Sequence, residues 1–122
     1  MIVMLVGCGG QVKNVHIQPY ESNIYSDHDM QEAIDEIKTY FQKEFDDCIL
    51  KELTYVGDDS LNQWQEYATR NQKDEVIVFT STFDVGSHGG NGALNPNDTY
   101  HNWKWILGRN KEGNWEHIDH GY

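Results

Sequence analysis

Residues 26–45, SDHDMQEAIDEIKTYFQKEF, decide the architecture of this chain. Met30, Ala33, Ile34, Ile37, Phe41 and Phe45 recur at intervals of mostly three and four, which places them on one stripe of an α-helix. Ser26 or Asp29 can cap that helix, and Asp29 followed by Glu32 has capping-box spacing. Acidic residues gather in the first turns and Lys38 and Lys43 come later, the order that the helix dipole favours. The stretch predicts a surface helix with one buried face and a solvated row of Glu and Asp.

Working outward from the helix, strands follow. In residues 48–57, CILKELTYVG, the positions Leu50, Glu52, Thr54 and Val56 alternate with Ile49, Lys51, Leu53 and Tyr55 across two faces. Asp58-Asp59-Ser60 then opens a short helix with Leu61, Trp64 and Ala68 inward. Residues 75–85, EVIVFTSTFDV, are the strongest strand, because β-branched and aromatic residues dominate. TYHNWKWILGR (99–109) and NWEHIDHG (114–121) predict a hairpin closed by the turn NKEG. The predicted fold class is α+β: a long N-terminal helix and a short helix packed on one face of a curved antiparallel sheet of about four strands.

Composition narrows the partners. The 122 residues suffice for one core, and four Trp, seven Tyr and four Phe can fill it. Nine Lys and Arg against twenty Asp and Glu give a formal charge of −11. Such a surface repels phosphate backbones and anionic head groups, and no basic cluster reverses it locally, so nucleic acid is excluded as a partner. No run approaches the about 20 apolar residues of a transmembrane helix.

The N-terminus, MIVMLVGCGG, supplies an address instead. Leu5-Val6-Gly7-Cys8 resembles the lipobox of bacterial lipoproteins, in which a small residue precedes a cysteine that is acylated on sulfur. Residues 1–7 then read as a truncated lipoprotein signal segment, Cys8 as the lipid attachment, 8–25 as attachment and tether, and 26–122 as a single domain. Two acyl chains, at about 0.8 kcal/mol per buried CH₂, hold a protein on a bilayer where one does not. The competing reading makes MIVMLV a buried first strand ending in a Gly-rich turn. Cys48, beside Ile49-Leu50, reads as a small buried residue, with a Cys8–Cys48 disulfide as the alternative.

Trp103, Lys104, Trp105, Ile106, Leu107 and Arg109, followed by Trp115, Ile118, Asp119, Gly121 and Tyr122, form the pattern W-K-W-I-L-x-R…W-x-x-I-D-x-G-Y. Behind a long amphipathic helix, this pattern resembles the nuclear-transport-factor-2-like, cystatin-like superfamily. More closely, it is similar to small lipoproteins of Firmicutes that carry a domain of unknown function with this fold. The resemblance implies fold and address, and no agreed activity. Gly108 stands where the family's commoner residue is valine.

Three groups of residues are candidates for function. The aromatics Trp64, Trp103 and Trp105, with Thr82, are candidates to line a ligand cleft between helix and sheet, against the plainer reading of core packing. The segment DVGSHGGNGALNPNDTY offers oxygens from Asp84, Asn95, Asn97 and Asp98, a set suited to calcium; a long hairpin connection turning at 95–98 is the preferred reading. His88, His101, His117 and His120, with Asp84 and Asp119, invite a transition-metal or acid–base reading. By alternation His117 and Asp119 share a face, His120 points to the other, and His101 lies with Trp103 and Trp105. A His101, His117 and Asp119 group would suit the dehydratase and isomerase chemistry found in the superfamily.

The expectation drawn from these readings is a lipid-anchored extracytoplasmic domain that binds a small molecule or a cell-envelope protein without catalysis. The alternatives are a calcium-dependent interaction module built on 84–98 and a small enzyme using a His/Asp pair.

Overall fold

The computed structural model describes residues 9–111 and 113–122. Cys8 and the signal-like residues 1–7 lie outside the described residues. The chain is α+β, with a five-stranded mixed sheet in the order β1-β2-β3-β4-β5. Its elements are β1 (His16–Ile17), α1 (Asp27–Glu44), β2 (Cys48–Tyr55), a 3-10 helix (Asp58–Trp64), α2 (Gln65–Arg70), β3 (Glu75–Val85), β4 (Thr99–Arg109) and β5 (Glu116–Gly121).

The helix predicted around 26–45 forms over Asp27–Glu44. Ser26 is its cap: the hydroxyl accepts from Asp29 N–H and the Asp29 carboxylate accepts from Ser26 N–H, a reciprocal capping box. The acceptor is Asp29 rather than Glu32, because the box spans Ncap to N3 and the cap is Ser26. Met30, Ala33, Ile34, Ile37 and Phe41 are buried against the sheet, as the stripe requires.

Three findings correct the expected sheet. It has five strands rather than about four, and it is mixed, because β1 runs parallel to β2 with His16 opposite Glu52 and Ile17 opposite Leu53. The segment expected as a tether is therefore laid against the domain from Gly10 onward. Gly10 N–H donates to the Gln42 carbonyl, Gln11 exchanges backbone bonds with Cys48 and Leu50, and Gln18 N–H reaches the Leu53 carbonyl. The free edge of β2 offers unpaired backbone groups, and this polar stretch satisfies them. Asp58 fastens its far end by accepting from Ser22 Oγ, Asn23 N–H and Tyr55 Oη.

The second correction concerns the helices, which lie on both faces. Ile77, Phe79, Ser81 and Phe83 of β3 face α1. Val76, Val78 and Ile106 are buried on the opposite face, beneath the 3-10 helix and α2 packed on β3 and β4. The unbroken apolar run Val76–Phe79 is the sequence trace of a strand covered on two sides.

The third correction is one of register. Three strands carry a bulge. In β2 the step from Leu50 to Glu52 faces one step of β3, so Lys51 is the extra residue, and Leu50 joins Leu53 and Tyr55 on the α1 face instead of alternating against them. In β4 the step from Tyr100 to Trp103 faces Phe83 to Ser81, and Asn102 takes a left-handed φ of 58°. In β5 the step from His117 to Asp119 faces Leu107 to Ile106. Each bulge resets which side chains look inward.

One glycine on β4 has a steric reason. A Cβ on Gly108 would come 2.7 Å from Ile118 Cδ1 and 2.8 Å from Lys73 Cγ, so a larger residue here requires both side chains to shift.

Candidate functional site

At the C-terminal end of α1 the helix, β4, β5 and the 86–98 connection leave a cleft of about 390 Å³. Tyr40, Phe45, Trp103 and His120 form its aromatic walls, and Gly90 and Leu94 close its rim. The volume falls within the span of small-molecule sites, which runs from about 300 to 1,000 Å³. Trp105, fully buried, lies beneath the histidines, 5.3 Å from His120 and 6.1 Å from His117 between ring centroids.

The β4 bulge brings Tyr100 and Trp103 to one face, where their rings meet edge to face at 5.5 Å. The β5 bulge does the same for His117 and His120. Opposite Leu107 and Trp105, both histidines point under α1, while Asp119 sits opposite Ile106 and points to the other face. The expected pairing of His117 with Asp119 is therefore reversed: an extra residue at 118 breaks the alternation on which it rested. His101, exposed next to the bulged Asn102, does not join Trp103 and Trp105, and Asp119 is registered with Ile106 far along the strand from it. The His101, His117 and Asp119 group is not assembled.

His117 Nε2 and His120 Nδ1 lie 2.9 Å apart. Their ring centroids are 5.1 Å apart, which is close to that distance plus two ring radii. The nitrogens thus face each other nearly head-on at hydrogen-bond distance. One of the two nitrogens donates and the other accepts, according to the tautomer of each ring. His120 Nε2 takes no part in this bond. Burial pushes both imidazoles below the ordinary histidine pKa; the neighbouring His120 lowers His117 further, and Asp119 partly offsets the shift in each. Tyr40 stacks flat on His117 at 3.9 Å and fixes the ring.

Trp105 Nε1–H donates to Ser81 Oγ at 2.8 Å, and Ser81 passes its own proton to the Trp103 carbonyl. The Trp103 indole nitrogen, by contrast, is buried with no hydrogen-bond partner. A buried unpaired donor is costly, and such a group calls for a structural or functional explanation.

The remaining candidates are dispersed. Thr82 points away from the cleft, opposite Glu52 on β2. Trp64 pairs with Tyr67 at 5.5 Å beside α2. The 84–98 oxygens are used in building the connection: Asp84 accepts from Thr99 Oγ1, Asp98 from Thr99 N–H and more distantly from the Asn95 amide, and Asn97 turns with a φ of 58°. Among the described residues, no group of three or more His, Cys, Asp or Glu is placed to hold a metal ion. Cys48 is a free, buried thiol, with its pKa pushed up to about 11 by burial.

A roomier hollow of about 820 Å³ lies at the opposite end, between Tyr20–Asp27 and Val56–Ser60. It is wide and polar, and its central carboxylate, Asp58, is already engaged by three donors. The smaller cleft is the better site.

No protein-family model matches the chain, and no curated protein or solved structure is significantly similar to it.

Proposed function

We propose that this chain is a lipid-anchored extracytoplasmic domain of the nuclear-transport-factor-2-like kind, held on the membrane through Cys8, that binds a small flat molecule in the aromatic cleft without transforming it. One observation carries the ligand reading: an aromatic-walled cleft of ligand size is lined by His120, whose Nε2 lies outside its bond to His117, and by Trp103, whose indole N–H is buried and unpartnered. Stacking on Trp103 and His120 suits a planar ring, and an imidazole nitrogen that can donate or accept suits a neutral heteroaromatic or amide-bearing group. Binding is favoured over catalysis because the β5 bulge turns Asp119 away, and among the described residues no carboxylate bonds either histidine to tune it as a base. The lipobox-like Leu5-Val6-Gly7-Cys8 supports the address.

A library of uncharged heteroaromatic fragments, titrated against the isotope-labelled domain, tests the site. Saturable shifts centred on Tyr40, Phe45, Leu94, Trp103 and His120, abolished by His120→Ala, are expected. Saturable shifts confined to the Tyr20–Ser60 hollow, or none in the cleft, refute it. The mass of the N-terminus from cells tests the anchor: a mature chain beginning at acylated Cys8 is expected, and an unmodified Met1 or thiol refutes it.

A further inference from the structure

The placement of Gly10 says how such a domain would sit. Gly10 is buried and bonded to the Gln42 carbonyl near the end of α1, and a Cβ there would strike the Phe41 side chain and carbonyl. Gly9 alone separates it from Cys8. Two Cα steps reach at most about 7.6 Å, so a lipid on Cys8 has no tether. The end of the molecule that holds Gly10 also holds the 45–47 turn, the 86–98 connection and the C-terminus, because β2 starts, β3 ends, β4 starts and β5 ends there. The aromatic cleft is at this same end: Asp46 borders it, and a Cβ on Gly90 would lie 3.4 Å from the Asp46 carbonyl.

We infer that the domain rests directly on the bilayer by this end, with the mouth of the aromatic cleft beside the head groups. The inference depends on lipid attachment at Cys8. Among the described residues, two of the three exposed large hydrophobic residues, Ile49 and Tyr122, lie at this end, at 47% and 73% exposure; Ile24 lies at the other. Glu44, Asp46, Asp47, Asp84 and Asp98 gather there as well, so the matching surface is zwitterionic lipid and not an anionic one. A cleft so placed draws its ligand from the interfacial layer, where small amphipathic ring compounds concentrate.

The test uses the full chain purified from membranes with its acyl groups and placed in phosphatidylcholine vesicles with nitroxide-labelled head groups. A bimane is attached at Asn91→Cys beside the cleft, or at Asp59→Cys at the far end; buried Cys48 does not compete for label. Several-fold stronger quenching at position 91 than at 59 is expected. Equal quenching, or stronger quenching at 59, overturns the orientation. If the cell-derived N-terminus carries no lipid, the anchoring reading falls. The same comparison on chain coupled through Cys8 to a synthetic maleimide lipid then judges the geometry alone.

Discussion

His117 Nε2 and His120 Nδ1 share one proton across 2.9 Å, and residues three positions apart on a strand reach the same face here only because β5 carries a bulge. Both pKa values are lowered by burial. A histidine that is harder to protonate when folded contributes its full stability above the unfolded pKa near 6.5 and loses it as pH falls toward the folded value.

The melting temperature should therefore hold above about pH 6.5 and decline below it, at roughly 4 °C for each kcal/mol lost. His117→Gln with His120→Gln should remove this near-neutral part of the decline and leave the carboxylate part at lower pH. An unchanged profile in the double variant, measured by calorimetry between pH 8 and 5, would show that the pair does not titrate as described.

Arg109 anchors the opposite end of the helix. Its guanidinium donates to Asp29 at 2.8 Å and Glu75 at 2.5 Å and lies 4.3 Å over the Trp115 ring. Arg109→Met should cost about 2–3 kcal/mol in chemical denaturation, near the low end for a broken pair because Glu75 is partly exposed. Asp29 is held below the ordinary carboxylate pKa, chiefly by its bond to Arg109. Its contribution is present above pH 4 and is lost on acidification through the folded value, so the variant should show a flatter acid limb.

Ser81 is the buried polar residue among the described core positions, and it accepts the Trp105 indole proton. Ser81→Ala should cost about 1–3 kcal/mol by orphaning that donor. Adding Trp105→Phe removes the donor, so the double variant should be more stable than the sum of the single costs implies. Strict additivity in urea titrations would count against the bond.

Gly10→Ala forces a methyl into the Phe41 carbonyl and should peel the N-terminal segment from β2 while the core stays folded. Amide exchange at Gln11, Gln18 and Leu50 should accelerate about tenfold or more, equivalent to about 1.4 kcal/mol of local stability. Unchanged exchange at those three amides would mean that the segment is not held as found.

How far the sequence could be read depended on period. The 3.6-residue stripe of α1 was legible to within a residue of each end, because its apolar positions and its cap agree. The strands were legible as strands, yet their facing was not, because an alternation of two has no memory. A single extra residue at Lys51, Asn102 or Ile118 inverts everything beyond it, and nothing in those side chains announces a bulge. That is why His117 was paired with Asp119 instead of His120, and why His101 was set beside Trp103. The docking of 10–18 was also hidden: its bonds are backbone bonds, which leave no mark in residue types. Cys48 was legible, since a cysteine flanked by Ile and Leu has an apolar environment written beside it.

A chain edited to lack Lys51, Asn102 and Ile118 would keep Leu50 beside Leu53, Tyr100 beside Trp103 and His117 beside His120, now by plain alternation. It would display the same chemistry on a flatter surface, because each surplus residue adds local right-handed coiling to its strand. Those three residues contribute coiling of the strands, while none of them lines the hollow beneath the helix.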